Sequence, residues 1–520
     1  MTNYLSSTAM PGNASRQRLG PWQSWVVLSL LSVLLLSTLM LPTSWSGNEI
    51  NYFDLSYAYF YHEGITPKHA IYDTSNARFF SFLLIGGLID ILGFDGAKIL
   101  LSFLMMAGLG MGFAALALSL GLGYAEALVV LIFVMLNPSL LGGEWIFGGI
   151  EAKTLAYCAV LPALSLAWRD RRVASVLLLV LATYCHFLVG GFWTLAVLVL
   201  WLLRPARSRV ALMLGFYIVL VVPQLYALLS ERIGGVQVDT TGLGHSVAQI
   251  YAALRNPHHL VPFLSMGGFG TKWMPGTLVH AALAVLFGLA GRRAGPGSLR
   301  TLAMWLCLLN AYIPLAIVIS FIDRHTYRFA PLYMFRPAAL ILMLSGIGGI
   351  VVLRAWIGNT MHLLTRVVLV LSVASILPFF VMRAKSFAEA PSLSMMSLLD
   401  PGSQALVNWA QTNTAPGDVV LIEPRGGVQE GEMPSGGFER LMQRPTLINW
   451  KFVPTLSPEI ARWYDLIQWR DKVFEGDCGL LSEQPVSWLI LLQPIEKAPA
   501  AACGQLVWQN ESYAALKVVR

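Results

Sequence analysis

FFSFLLIGGLIDILG, residues 79–93, decides how the chain is threaded. It looks like a membrane span, yet it has 15 residues, contains Asp90 and is bracketed by Arg78 and Asp95. A bilayer core of about 30 Å needs about 20 apolar residues per helix. We read this segment as a re-entrant or interfacial helix lying on the outer face. Counting it as a span would reverse the orientation of every helix before Arg169.

Outward from there, apolar runs near 23–42, 99–120, 125–141, 154–168, 173–189, 190–203, 210–230, 276–291, 301–322, 338–353 and 367–382 read as eleven transmembrane helices. The first is too long for the apolar region of a signal peptide, and no small-residue cleavage site follows it. Arg16 and Arg18, Arg169 to Arg172, Arg204 to Arg209, Arg292-Arg293 and Arg354 to Arg366 punctuate the runs. The positive-inside rule places these clusters in the cytoplasm. Loops 43–97, 142–153, 231–275 and 323–337 then face outward, with a cytoplasmic tail over 1–22 and a membrane domain over 23–383. The chain of 520 residues is 56% hydrophobic and 12% charged. About 25% charge is usual for soluble domains, so an ordinary cytosolic enzyme is excluded, as is disorder. The net charge of +7 does not imply nucleic-acid binding, because the Arg residues sit in short loops between apolar runs.

Residues 384–520 are mixed and polar. ALVNWAQTNTAPGDVVLIEP (405–424) reads as helix, turn, strand; PEIARWYDLIQWRDKVF (458–474) as a helix; VSWLILLQP (486–494) as a buried strand; and QLVWQNESYAALKVV (505–519) as a hairpin. The fold class is an all-α polytopic membrane bundle of about 11 transmembrane helices with a small C-terminal α/β domain outside the membrane. Cys478 and Cys503 both fall in that domain, where an oxidising compartment allows either a disulfide or two buried thiols.

Four polar clusters share the outer side. GNEINYFDLSYAYFYHEG, 47–64, places Glu49 and Asp54 near a membrane end among Tyr52, Tyr57, Tyr59 and Tyr61. A partly desolvated carboxylate there can act as a base or hold a metal, and the aromatics can stack on sugars; an interfacial aromatic belt is the plainer reading. LLGGEWIFGGIEAK, 140–153, carries Glu144, Trp145, Glu151 and Lys153, as a ligand-binding hairpin or a solvated tip. DRHTYRFAPLYMFRP, 323–337, carries Arg324, His325, Arg328 and Arg336. Arg forks suit phosphate oxygens, and the same residues can pair with the acids of the first two loops. Loop 231–275, with His245, Arg255, His258, His259 and Lys272, has the length of a lid. Adjacent His258 and His259 side chains are expected to point apart and give weak support for a metal. His186 and His280 read as helix-packing residues. The spans lack the chain of ionisable groups that a coupled transporter tends to need.

Taken together, acids just after the first helix, an interfacial helix, outward-facing spans and a C-terminal α/β domain resemble the glycosyltransferase-C (GT-C) superfamily. Asn48-Glu49 takes the place of the acidic Asp-Glu pair often found there, followed by Tyr52 and Glu63-Gly64. The resemblance implies an integral membrane glycosyltransferase that takes a sugar from a polyprenyl-phosphate or -pyrophosphate carrier. Glu49 or Asp54 would be the base, Arg324, His325, Arg328, Arg336 and Lys153 the donor-phosphate ligands. Tyr52, Tyr57, Glu144, Trp145, Glu151, His258 and His259 would hold the sugar or a glycan, lipid or protein acceptor. A divalent cation, Mg or Mn, is compatible with Glu49, Glu144 and Glu151 but not required. The expected location is a bacterial inner membrane. The alternatives are a polysaccharide polymerase or ligase of the same fold, and a non-catalytic accessory subunit of a cell-envelope complex.

Overall fold

The computed structural model describes residues 20–61, 76–137, 140–204, 207–233, 242–357, 360–389, 396, 399–424 and 438–519. Arg16, Arg18 and Glu63-Gly64 lie outside the described residues, as do the side chains of Tyr59 and Tyr61. Helix α1 spans Pro21–Met40, α2 Gly47–Tyr61, α3 Phe79–Ser119, α4 Tyr124–Leu136, α5 Ala152–Trp168 and α6 Arg172–Cys185. Then follow α7 (Phe187–Leu202), α8 (Val210–Ile233), α9 (Met274–Arg293), α10 (Ser298–Ile322), α11 (Ala338–Ile357) and α12 (Thr360–Glu389). Each expected span has its helix. Among the described residues seven helices are long and apolar enough to cross a membrane, and four shorter apolar ones, α4 to α7, pack among them. The chain is an integral membrane protein with a polytopic helical bundle.

The segment 79–93 is helical and runs directly into the span that follows. One 41-residue helix results, broken at Gly93, whose φ of 70° and ψ of 175° lie outside helical geometry. The left-handed φ favours glycine at this break. Further along, α3 lies between α1 and α5. A Cβ on Gly110 would stand 2.8 Å from Val33, and one on Gly112 2.9 Å from Leu161 and Pro162. Small residues let helix backbones approach where lipid supplies no hydrophobic drive.

Arginines tie together one end of the bundle. Arg204 donates to the carbonyls of Ala167 and Trp168, and Arg354 to Gly121 and Glu126. The segment 43–57, expected as part of the outer loop 43–97, is largely α2. Ile50 and Phe53 are buried, and Tyr57 packs on Phe94.

Beyond the bundle, α13 (Pro401–Asn413) leads into β1 (Val419–Ile422), followed by α14 (Phe438–Met442) and α15 (Ser457–Phe474). Strands β2 (Val486–Leu492), β3 (Gln505–Gln509) and β4 (Tyr513–Lys517) complete a sheet of order β1-β2-β4-β3. β1 pairs parallel with β2, and the other pairings are antiparallel. This is the expected helix-turn-strand, helix, buried strand and hairpin. Cys478 and Cys503 form a disulfide.

Candidate functional site

The hairpin 142–153, α2, the turn before α11 and the α/β layer converge on a buried polar network. Lys451 Nζ donates to Asn48 Oδ1 at 2.7 Å, and Asn48 Nδ2 donates to Glu151 Oε1 at 2.7 Å. Glu151 Oε2 lies 3.3 Å from Lys153 Nζ, which is 3.2 Å from Glu144 Oε2. Glu144 Oε1 lies 3.3 Å from Arg336 Nε, and Arg336 Nη1 donates to His186 Nε2 at 2.7 Å. Three cations thus serve two carboxylates, Lys451 through the amide of Asn48. Burial alone would raise the Glu144 pKa, but Arg336 and Lys153 hold it at about 2, so it stays ionised. Trp145 lies under the Lys153 ammonium, at 4.2 Å, and Tyr333 under Arg336, at 3.9 Å.

His259 closes one side. Its Nδ1 donates to Gly142 O at 2.7 Å and lies 3.9 Å from Glu144 Oε1. Burial lowers its pKa, so the ring is neutral at pH 7. The rings of His258 and His259 do not point apart: their centroids are 4.0 Å from each other. Over 247–273 the lid-length loop is a string of short helical turns, in which Arg255 donates to the carbonyls of Trp450 and Lys451.

Glu49 is a separate centre. Its carboxylate accepts from Lys98 Nζ at 2.9 Å, from the Ser46 amide at 2.8 Å and from the Ile150 amide at 3.1 Å. Lys98 also donates to the Ser44 carbonyl and sits over the Trp45 ring. Asp54 faces Arg440 of the α/β layer at 3.7 Å. On α2 it lies about 200° around the helix from Tyr52, away from the Arg336 network. Tyr57 is also apart from that network, against Phe94.

The arginine cluster divides as well. Asp323 accepts from the amides of Arg328 and Phe329 and from the Thr326 hydroxyl, curling the chain there. His325 and Arg328 are exposed, and Arg324 folds back on Phe321. Of the four expected phosphate ligands on this loop, only Arg336 reaches the buried network. It also lines a cleft between helices, with Tyr157, Val189, Phe192, Tyr312 and Tyr333.

The three acids proposed for a metal do not converge. Each faces a lysine or arginine, and among the described residues no group of three His, Cys, Asp or Glu side chains is placed to hold an ion. The site therefore fits Mg or Mn poorly. Lys98, Arg440 and Lys451 are parts of these networks with no signal in the sequence, and His186, expected only to pack between helices, accepts from Arg336. His280 does pack within the bundle, bonded to Asn310 at 2.8 Å.

This architecture has a counterpart among solved structures. The chain aligns with the cryo-EM structure of the arabinofuranosyltransferase AftD from Mycobacteria, with a TM-score of 0.50 and 15% identity, over 90% of this chain. It spans 35% of that protein's chain. The likeness is one of fold. Residues 401–469 match a family described as a domain of unknown function (DUF6798). No curated protein matches the sequence.

Proposed function

We propose that the chain is a membrane glycosyltransferase, taking a sugar from a polyprenyl-phosphate or -pyrophosphate carrier and passing it, with inversion, to a glycan, lipid or protein acceptor at the periplasmic face of a bacterial inner membrane. The observation that carries this reading is the position of Arg336. Its guanidinium stands where an interhelical cleft with aromatic and aliphatic walls meets a buried network in which Lys153, Arg336 and Lys451 outnumber Glu144 and Glu151. A lipid phosphate has the complementary shape, an apolar tail behind an anionic head. Arg336 and Lys153 would hold the leaving phosphate; Glu151, Tyr52 and Trp145 would line the sugar.

The reading assigns the departing acceptor proton to an acid of α2. Glu49→Gln tests the acid against the hairpin, and Asp54→Asn the acid against Arg440. General-base help is worth about 10²–10⁴-fold, so unchanged turnover in both variants overturns the assignment. Arg324, His325 and Arg328 have no part in it.

The test of the function is binding of undecaprenyl phosphate to the chain in nanodiscs. Binding should weaken tenfold or more in Arg336→Gln, and no binding by the unaltered chain overturns the reading. The saturation of Glu49, Glu144 and Glu151 by basic groups favours a second reading, a non-catalytic subunit of a cell-envelope complex. That reading expects lipid binding without sugar transfer.

A further inference from the structure

We propose that Lys451, supplied by the α/β layer, is a positioning residue for the transfer reaction, acting on Glu151 through the side-chain amide of Asn48. This rests on the reading above, in which Glu151 lines the sugar. Lys451 is held from both sides. Arg255 donates to its carbonyl at 3.1 Å and to that of Trp450 at 3.0 Å. The Lys451 amide donates to Asn449 Oδ1 at 2.8 Å, and the Asn449 carbonyl accepts from Trp463 Nε1 at 3.0 Å.

The chemistry of the three side chains then permits one orientation of the amide. An ammonium only donates and an ionised carboxylate only accepts. Asn48 therefore turns Oδ1 to Lys451 and Nδ2 to Glu151. An aspartate at position 48 would still accept from Lys451, but it would have no proton for Glu151 and would set two carboxylates against each other. The amide is what this position requires, so placing an acid here subtracts function. Glu151 Oε2 is held by Lys153, which leaves Asn48 to fix the other oxygen. The site is complete only when the α/β layer is docked.

The experiment uses the full chain in nanodiscs, as Lys451→Met, Lys451→Arg and Asn48→Asp beside the unaltered protein. Three quantities are read: the unfolding midpoint, the Kd for undecaprenyl phosphate, and sugar release from a panel of undecaprenyl-phosphate-linked pentoses and hexoses. The expected result is a tenfold or greater fall in release for Lys451→Met and Asn48→Asp, with Kd within twofold, and recovery in Lys451→Arg. Full release by Lys451→Met overturns the positioning role and leaves the glycosyltransferase reading standing. Loss of lipid binding together with a lowered unfolding midpoint in Lys451→Met reduces Lys451 to a docking contact and also overturns it. No release by the unaltered chain from any donor overturns the glycosyltransferase reading, and this one with it.

Discussion

Asp54 and Arg440 approach to 3.7 Å across the seam between α2 and α14, yet among the described residues neither Asp54 oxygen accepts a hydrogen bond and Arg440 Nη1 donates none. Arg440 lies instead over the rings of Trp45 and Phe94, at 4.3 and 4.5 Å. A buried carboxylate held only by a loose ion pair keeps a high proton affinity. Burial pushes Asp54 up to about 7, against the pull of Arg440.

This has a sign that calorimetry can read. The folded chain keeps the Asp54 proton up to about pH 7, whereas an unfolded chain releases it near pH 4. Between those values the folded state binds more protons, so this group's contribution to stability falls as pH rises through the window and levels off above it. The slope is at most about 1.4 kcal/mol per pH unit. Asp54→Asn should remove that slope, and parallel pH profiles of the two proteins from pH 4 to 8 would refute the assignment.

Glu144 behaves oppositely. Its pKa is held at about 2, so its contribution to stability is present above its ordinary pKa of about 4.3 and is lost as pH falls toward 2. Glu144→Gln leaves Arg336 and Lys153 short of a counter-charge, which for buried pairs costs about 3–5 kcal/mol. A denaturant midpoint at pH 7 unchanged by the substitution would contradict this role.

Gly149 stands where the hairpin crosses α2. A Cβ there would lie 2.9 Å from Cγ and Cδ of Glu49. Gly149→Ala should cost about 1–3 kcal/mol through overpacking and should loosen the Ile150 amide from Glu49. Hydrogen exchange at Ile150 is the check, and unaltered protection would argue that the hairpin has room to move.

Arg336→Lys tests whether charge alone suffices. The guanidinium reaches both Glu144 and His186, and a lysine ammonium lacks that planar fork. Undecaprenyl phosphate should bind at least fivefold more weakly to this variant, measured by titration in nanodiscs. Undiminished affinity would show that the head group is gripped elsewhere.

Much of the bundle was legible because lipid tolerates few alternatives to long apolar helices. Glu144, Glu151, Lys153 and Arg336 were legible for the same reason, as polar residues pressed against apolar runs. Lys98 was not, because it stands at the margin of its run and reads as a boundary. Arg324, His325 and Arg328 were grouped with Arg336 by proximity along the chain. The turn capped by Asp323 separates them in space. α2 was missed although Ile50, Phe53 and Tyr57 follow helical spacing. Arg440 and Lys451 left no local signal, since their side-chain partners lie among the first hundred residues and no periodicity links them.

That last pairing bears on when the protein becomes competent. Asn48 and Lys451 are 403 positions apart. During synthesis α2 and the hairpin emerge long before the lysine that joins them, so the network stays unfinished until most of the polypeptide has been made. A nascent or truncated chain ending before α14 would lack Lys451, and Asn48 would be without the ammonium that orients its amide. Competence is thereby tied to synthesis of the segment that carries Lys451.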